Sequence, residues 1–177
     1  MKELYPDATE LLPLNVPKPK GKGVKLHVFV DADHAGDSIT RRSRTGVLIY
    51  LNAAPILWYS KKQNTVETST FGSEFVAMRQ AFEMIKALNY KLRMFGIPIE
   101  GPASIYCDNN AVVLNCSNPE SVLRKKHHSV NYNYVRESVA AGIGLVYKVD
   151  TGHNLADLFT KVLDKVKRIK IVQTILR

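Results

Sequence analysis

Four acidic residues stand where a chain usually places apolar groups or simple turns. Asp31 closes the apolar run VKLHVFV, Glu74 interrupts the apolar stripe of a long helical segment, Asp108 closes the run ASIYC, and Asp157 follows NLA near the chain's last segment. Burying a lone ionised carboxylate is expensive, so such groups need a compensating cation. A cluster of hard oxygen ligands is the arrangement Mg²⁺ accepts, whereas histidine and cysteine would favour softer metals. Taken singly, each acid has an ordinary explanation: Asp31 and Asp108 as turn residues bonding nearby amides, Glu74 and Asp157 as acids favoured near a helix start. Their recurrence in strand, helix, strand, helix order points instead to one shared site.

The surrounding composition says what such a site would meet. Of 177 residues, Lys and Arg number 25 against 16 Asp and Glu, a net charge of +9. A surface of that sign attracts polyanions, above all nucleic acid. Phosphate repels carboxylates, so an acidic cleft in a basic protein accepts a phosphodiester only when metal ions lie between them. The length and the 45% hydrophobic content suit one domain with a sizeable core. The longest apolar stretch, Val47 to Tyr59, is broken by Asn52 and Pro55 and falls short of the roughly 18 residues of a membrane span. The first residues lack the basic-then-apolar order of a secretory signal. Together these favour an intracellular location, with no membrane partner. Cys107 and Cys116 are too few for a disulfide framework and read as small buried apolar residues.

The elements that must position the acids can be traced by periodicity. Residues 1–23 hold four of the eight prolines and the run KPKGKG, which sustains neither helix nor strand and reads as a basic tether or linker. Residues 24–177 read as one α/β domain. Strands are expected from Val24 to Asp31, from Thr45 to Leu51 and from Ile56 to Ser60, the last with Trp58 in the core. A helix follows, capped at Ser69 or Thr70, with a stripe at Phe71, Glu74, Met78, Ala81, Ile85, Leu88, Leu92 and Phe95 and a stop at Gly96. Next come a strand Ala103 to Cys107, a short helix from Asn109 or Asn110 through Leu114, a helix Ser129 to Ala141, a strand Leu145 to Val149 and a last helix from about Asn154. Lys161 to Lys170, interleaved with Val162, Val166 and Ile169, has the pattern of an amphipathic terminal helix.

Seven segments, DADHAGD (31–37), RRSRTG (41–46), SKKQNTVETST (60–70), SEFVA (73–77), YCDNNAVVLNCSNP (106–119), KHHSVNYNYVRE (126–137) and NLADLFTK (154–161), resemble in order the ribonuclease H domain of copia-type LTR retrotransposon polyproteins. The likeness spans residues 26–163. It implies a ribonuclease H-like fold, a five-stranded mixed β-sheet flanked by α-helices, and metal-dependent hydrolysis of the RNA strand of RNA–DNA hybrids during reverse transcription. The family's four acidic ligands fall on Asp31, Glu74, Asp108 and Asp157, which would hold two Mg²⁺, with Mn²⁺ a substitute. An upstream reverse transcriptase domain is the implied partner. The chain departs from the family pattern at His34, where an aromatic residue is usual, at Gly72, where an acid is common, and at Ser129 and Asn131, which replace a commonly charged pair.

Backbone contacts to a hybrid are expected from Lys61, Lys62 and Gln63, from Arg41 and Arg42, and from Arg124, Lys125, Lys126 and His127, with Asn109 placed to read a 2′-hydroxyl or to cap a helix. His153 reads first as a loop residue and second as a proton shuttle. Two other functions fit parts of the pattern: a catalytically inactive nucleic-acid-binding ribonuclease H-like module, and an aspartyl phosphatase built on the D-x-D of Asp31 and Asp33. The presence of all four acids weighs against the first. The second lacks the usual Thr or Val at Ala35.

Overall fold

The apolar run that opens the domain becomes the central strand of a mixed sheet. A computed structural model of the protein describes residues 1–121 and 129–176. Strands β1 (Leu26–Asp33), β2 (Arg44–Leu51), β3 (Ala54–Lys62), β4 (Ala103–Cys107) and β5 (Gly144–Lys148) form one sheet in the order β3-β2-β1-β4-β5. The first three pair antiparallel, as short turns between neighbouring strands allow, while β1, β4 and β5 run parallel because helices connect them. The expected α/β architecture is the one observed.

Helix α1 (Thr70–Met94) packs one face of the sheet, with α2 (Asn110–Ser117) and α3 (Ser129–Ala140) beside it. Its buried side chains Phe75, Met78, Ala81, Phe82 and Ile85 meet Val28, Val30, Val47, Ile49 and Ile105 in the main core. The opposite face carries a smaller cluster of Leu48, Tyr50, Leu155 and Ile171, the last from α4 (Lys165–Ile175). Ser69 caps α1 by accepting a hydrogen bond from the Gly72 amide at 3.3 Å. Ser69→Ala is therefore expected to lower stability by about 1 kcal/mol, read as a lower urea midpoint at unchanged slope; an unmoved midpoint would show the cap to be idle.

Several expectations change with the tertiary structure. Trp58 is 67% exposed instead of core. It lies on the edge strand β3, opposite Leu48, and the cover of that face ends on Leu48 and Tyr50. Phe95 ends the helical stripe but is 78% exposed, because it caps α1 just before Gly96 turns the chain at φ +68°. The segment from Asn154 forms a short 3₁₀ turn, Leu155–Phe159, preceded by another at Thr151–His153, and the terminal helix begins only at Lys165. Asp164 caps it, accepting from the Lys167 amide. Residues 1–23 form no helix or strand and lie against the domain: Glu10 pairs with Arg93, the Tyr5 hydroxyl donates to Asn133 Oδ1 at 2.9 Å, and the Lys20 amide donates to the Gly96 carbonyl at 2.8 Å. Both cysteines are buried and free, and burial pushes both thiols up.

Candidate metal centre

Parallel pairing brings the carboxyl ends of β1 and β4 to the same edge of the sheet. Asp31 lies near the end of β1, and Asp108 follows the last residue of β4. Helix α1 starts at this edge because Gln63, just after β3, bolts it there. Its Nε2 donates to the Ser73 carbonyl at 2.8 Å and to Thr45 Oγ1 at 3.1 Å. Glu74, the next residue, is thereby aimed at the two aspartates. One carboxylate oxygen from each of Asp31, Glu74 and Asp108 lies within 4.8 Å of the others.

This triad is crowded and poorly compensated. Asp31 is 0% exposed and Glu74 4%, while Asp108 is half-buried. Glu74 Oε2 is buried without a hydrogen-bond partner. Burial, then the charges of Asp31 and Asp108, hold the Glu74 carboxyl well above the usual carboxylate range. Burial also raises Asp31, against the opposing pull of Lys161. An orphaned carboxylate oxygen among converging hard ligands fits a divalent cation such as Mg²⁺ or Mn²⁺.

Asp157 reaches the site by another route. The Asn154 side-chain Nδ2 donates to the Val30 carbonyl at 3.0 Å, docking the 3₁₀ turn on β1. The turn passes so close to β2 that a Cβ on Gly46, which pairs with Asp31, would lie 2.6 Å from Thr160 Cγ2 and 2.9 Å from the Ala156 carbonyl oxygen. Only a residue without a side chain admits it. Asp157 is 0% exposed, and both its oxygens are held by lysines: Oδ1 by Lys161 at 2.9 Å and Oδ2 by Lys167 of α4. Lys161 Nζ also donates to Asp31 Oδ1 at 3.1 Å, and the Thr160 hydroxyl donates to Asp31 Oδ2. The four acids are thus a triad plus a fourth member joined to it through an ammonium.

The expected substrate contacts divide. Lys61 and Lys62 are exposed on β3, with Lys62 paired to Asp37, and Arg41 is also exposed, while Arg42 is half-buried and donates to Asn64 Oδ1 at 3.3 Å. Gln63 differs from the expectation: it is 0% exposed and its Nε2 is committed inside the fold, so it positions α1 and presents no surface to a ligand. Asn109 takes the capping role, its Oδ1 accepting from the Ala111 and Val112 amides. Arg124, Lys125, Lys126 and His127 lie outside the described residues. His153 is exposed at the end of its 3₁₀ turn. Sequence reasoning missed Thr160, Lys161 and Lys167 as members of the site. The one local signal was the four-residue spacing of Asp157 and Lys161, which more commonly marks a solvated surface pair.

No protein-family model matches the chain. Over 83% of its length it is 36% identical to the retrovirus-related Pol polyprotein from transposon RE2 of Arabidopsis thaliana, of which it spans 10%. Over 80% of its length it is 33% identical to the corresponding polyprotein from transposon TNT 1-94 of Nicotiana tabacum, spanning 11% of that protein. The chain therefore covers about a tenth of the length of these curated relatives. Among solved structures, it resembles the N-terminal RNase H domain of a Mycobacterium tuberculosis protein, solved as a fusion with maltose-binding protein, with a TM-score of 0.58 at 13% identity over 86% of this chain and 99% of that one. LC11-RNase H1, solved in complex with an RNA/DNA hybrid, gives a TM-score of 0.59 at 14% identity over 77% of this chain and 94% of that one. These likenesses show a ribonuclease H fold.

Proposed function

Because the chain belongs to the ribonuclease H domains of copia-type retrotransposon Pol polyproteins, we propose that it is a metal-dependent endoribonuclease that hydrolyses the RNA strand of RNA–DNA hybrids. The observation that carries this reading is the triad of Asp31, Glu74 and Asp108, with oxygens within 4.8 Å of one another and Glu74 Oε2 left without a partner. Those three residues would hold a Mg²⁺ or Mn²⁺ ion, and Asp157 would join Asp31 in holding a second. Divalent ions so held would supply Lewis acidity toward the phosphate and would make water a competent nucleophile near neutral pH. The chain's own contribution is placement: two parallel strand ends and a helix start, pinned by Gln63 and Asn154, fix the carboxylates before any ligand arrives.

Recognition would rest on duplex shape and 2′-hydroxyls more than on sequence, since the wide minor groove of such a duplex exposes those groups. Exposed Lys61 and Arg41 are available for phosphate contact, with half-buried Arg42 beside them, and an upstream polymerase domain would extend the binding surface. The products expected are 5′-phosphate and 3′-hydroxyl ends. The test is a strand-labelled hybrid incubated with Mg²⁺ or Mn²⁺ and, separately, with a chelator. The expected result is metal-dependent shortening of the RNA strand with the DNA strand intact. A hybrid that is bound yet left whole with either ion, even by a chain fused to its upstream polymerase segment, would replace this reading with a catalytically inactive binding module.

A further inference from the structure

We propose that Lys161 fills the seat of the second divalent ion, so that the chain free of nucleic acid binds one such ion and not two; this rests on the metal-dependent reading above. Lys161 Nζ lies 3.1 Å from Asp31 Oδ1 and 2.9 Å from Asp157 Oδ1, a cation bridging two fully buried carboxylates. The remaining oxygens of that pair are also committed, Asp31 Oδ2 to the Thr160 hydroxyl and Asp157 Oδ2 to Lys167. A hard ion needs several oxygen ligands at short range. On this side of Asp31 it gains them only by breaking the bonds of Lys161.

The other side differs. Glu74 and Asp108 complete a three-oxygen group with Asp31 that needs no rearrangement of Asp157, and Glu74 Oε2 has no partner to lose. Two of the three ligands of this group, Glu74 and Asp108, are thus not held by Lys161, whose bonds run to Asp31 and Asp157. Lys161 is displaceable because its side chain is 37% exposed and ends a flexible four-carbon stem. Its charge also explains how Asp31 and Asp157 stay together, both fully buried, before any metal arrives.

The test counts Mn²⁺ bound by the whole chain without nucleic acid, from the electron paramagnetic resonance signal of the free ion. Wild type is expected to bind one equivalent and Lys161→Gln two, the second at least about tenfold tighter than any second binding by wild type, as loss of a unit charge a few ångströms away requires. Lys161→Arg keeps the charge and should stay at one. Two equivalents in wild type with the affinities of Lys161→Gln would overturn the proposal, as would no ion in any of the chains or a single unchanged equivalent in Lys161→Gln. Should Lys161→Gln fail to fold, the wild-type count decides alone: one supports the proposal and two overturns it. The readout is independent of cleavage. A count of one rising to two without hydrolysis of a hybrid would keep Lys161 in its seat and remove the ribonuclease function.

Discussion

Asp108→Asn is expected to lower hydrolysis of the RNA strand by about a thousandfold, the scale of losing one preorganised electrostatic group at a reacting phosphate, while the protein remains folded. The substitution is nearly isosteric and exchanges a charged oxygen for an amide. Asp108 is the member of the triad with the least structural employment. Asp31 is bound by Thr160 and Lys161, and Glu74 is packed among the core residues of α1. Asp108 is half-buried, and its link to Lys148 runs through its backbone carbonyl, which Asn retains. Cleavage of a labelled hybrid, measured beside the thermal midpoint of each protein, separates chemistry from folding. Equal cleavage by both proteins would remove Asp108 from the mechanism.

Glu74→Gln should move stability in opposite directions with and without metal. The carboxyl is raised well above its usual range by burial and by Asp31 and Asp108. An acid whose folded pKa exceeds its unfolded one favours the fold below the unfolded value, and that contribution is lost as pH rises through the folded value. At pH 7 without divalent ions, Glu74→Gln is therefore expected to be the more stable protein, with the difference closing toward pH 4. Addition of Mn²⁺ reverses the order: at a hundred times its dissociation constant, an ion binding only the folded state adds about 2.7 kcal/mol, and Gln forfeits most of that gain. Urea midpoints at two pH values, with Mn²⁺ and with a chelator, supply all the terms. A metal-free Glu74→Gln less stable than wild type at pH 7 would show that the carboxylate has a favourable partner in the fold and is no vacant ligand.

The legibility of the fold followed the strength of each local signal. VKLHVFV reads as a strand covered on both faces, and it is the central strand β1. The 3.6-residue stripe of α1 predicted the burial of Glu74, Met78, Ala81, Ile85 and Leu92; Phe71 and Leu88 are half-buried against the core, and the pattern failed at Phe95, where the helix was ending. Trp58 failed for a different reason. Alternation along β3 marks two faces without saying which of them a neighbour will cover, and at an edge strand that cover is a tertiary accident. The 3₁₀ turn at Leu155–Phe159 escaped because its geometry is held by distant bonds, Asn154 to Val30 and Thr160 to Asp31, which no local periodicity encodes.

By itself the sequence determined that four acids end or interrupt apolar elements in a basic chain, since periodicity and charge are local properties. From these followed the fold class and the chemistry to look for. Only the tertiary structure decided how the acids divide: Asp31, Glu74 and Asp108 converge, while Asp157 is held by Lys161 and Lys167. The reason is one of distance. Whether an ammonium sits on a carboxylate within about 4 Å, where charges interact strongly out of water, depends on how a docked turn and a terminal helix return to the first strand, and that closure spans 130 residues from Asp31 to Lys161.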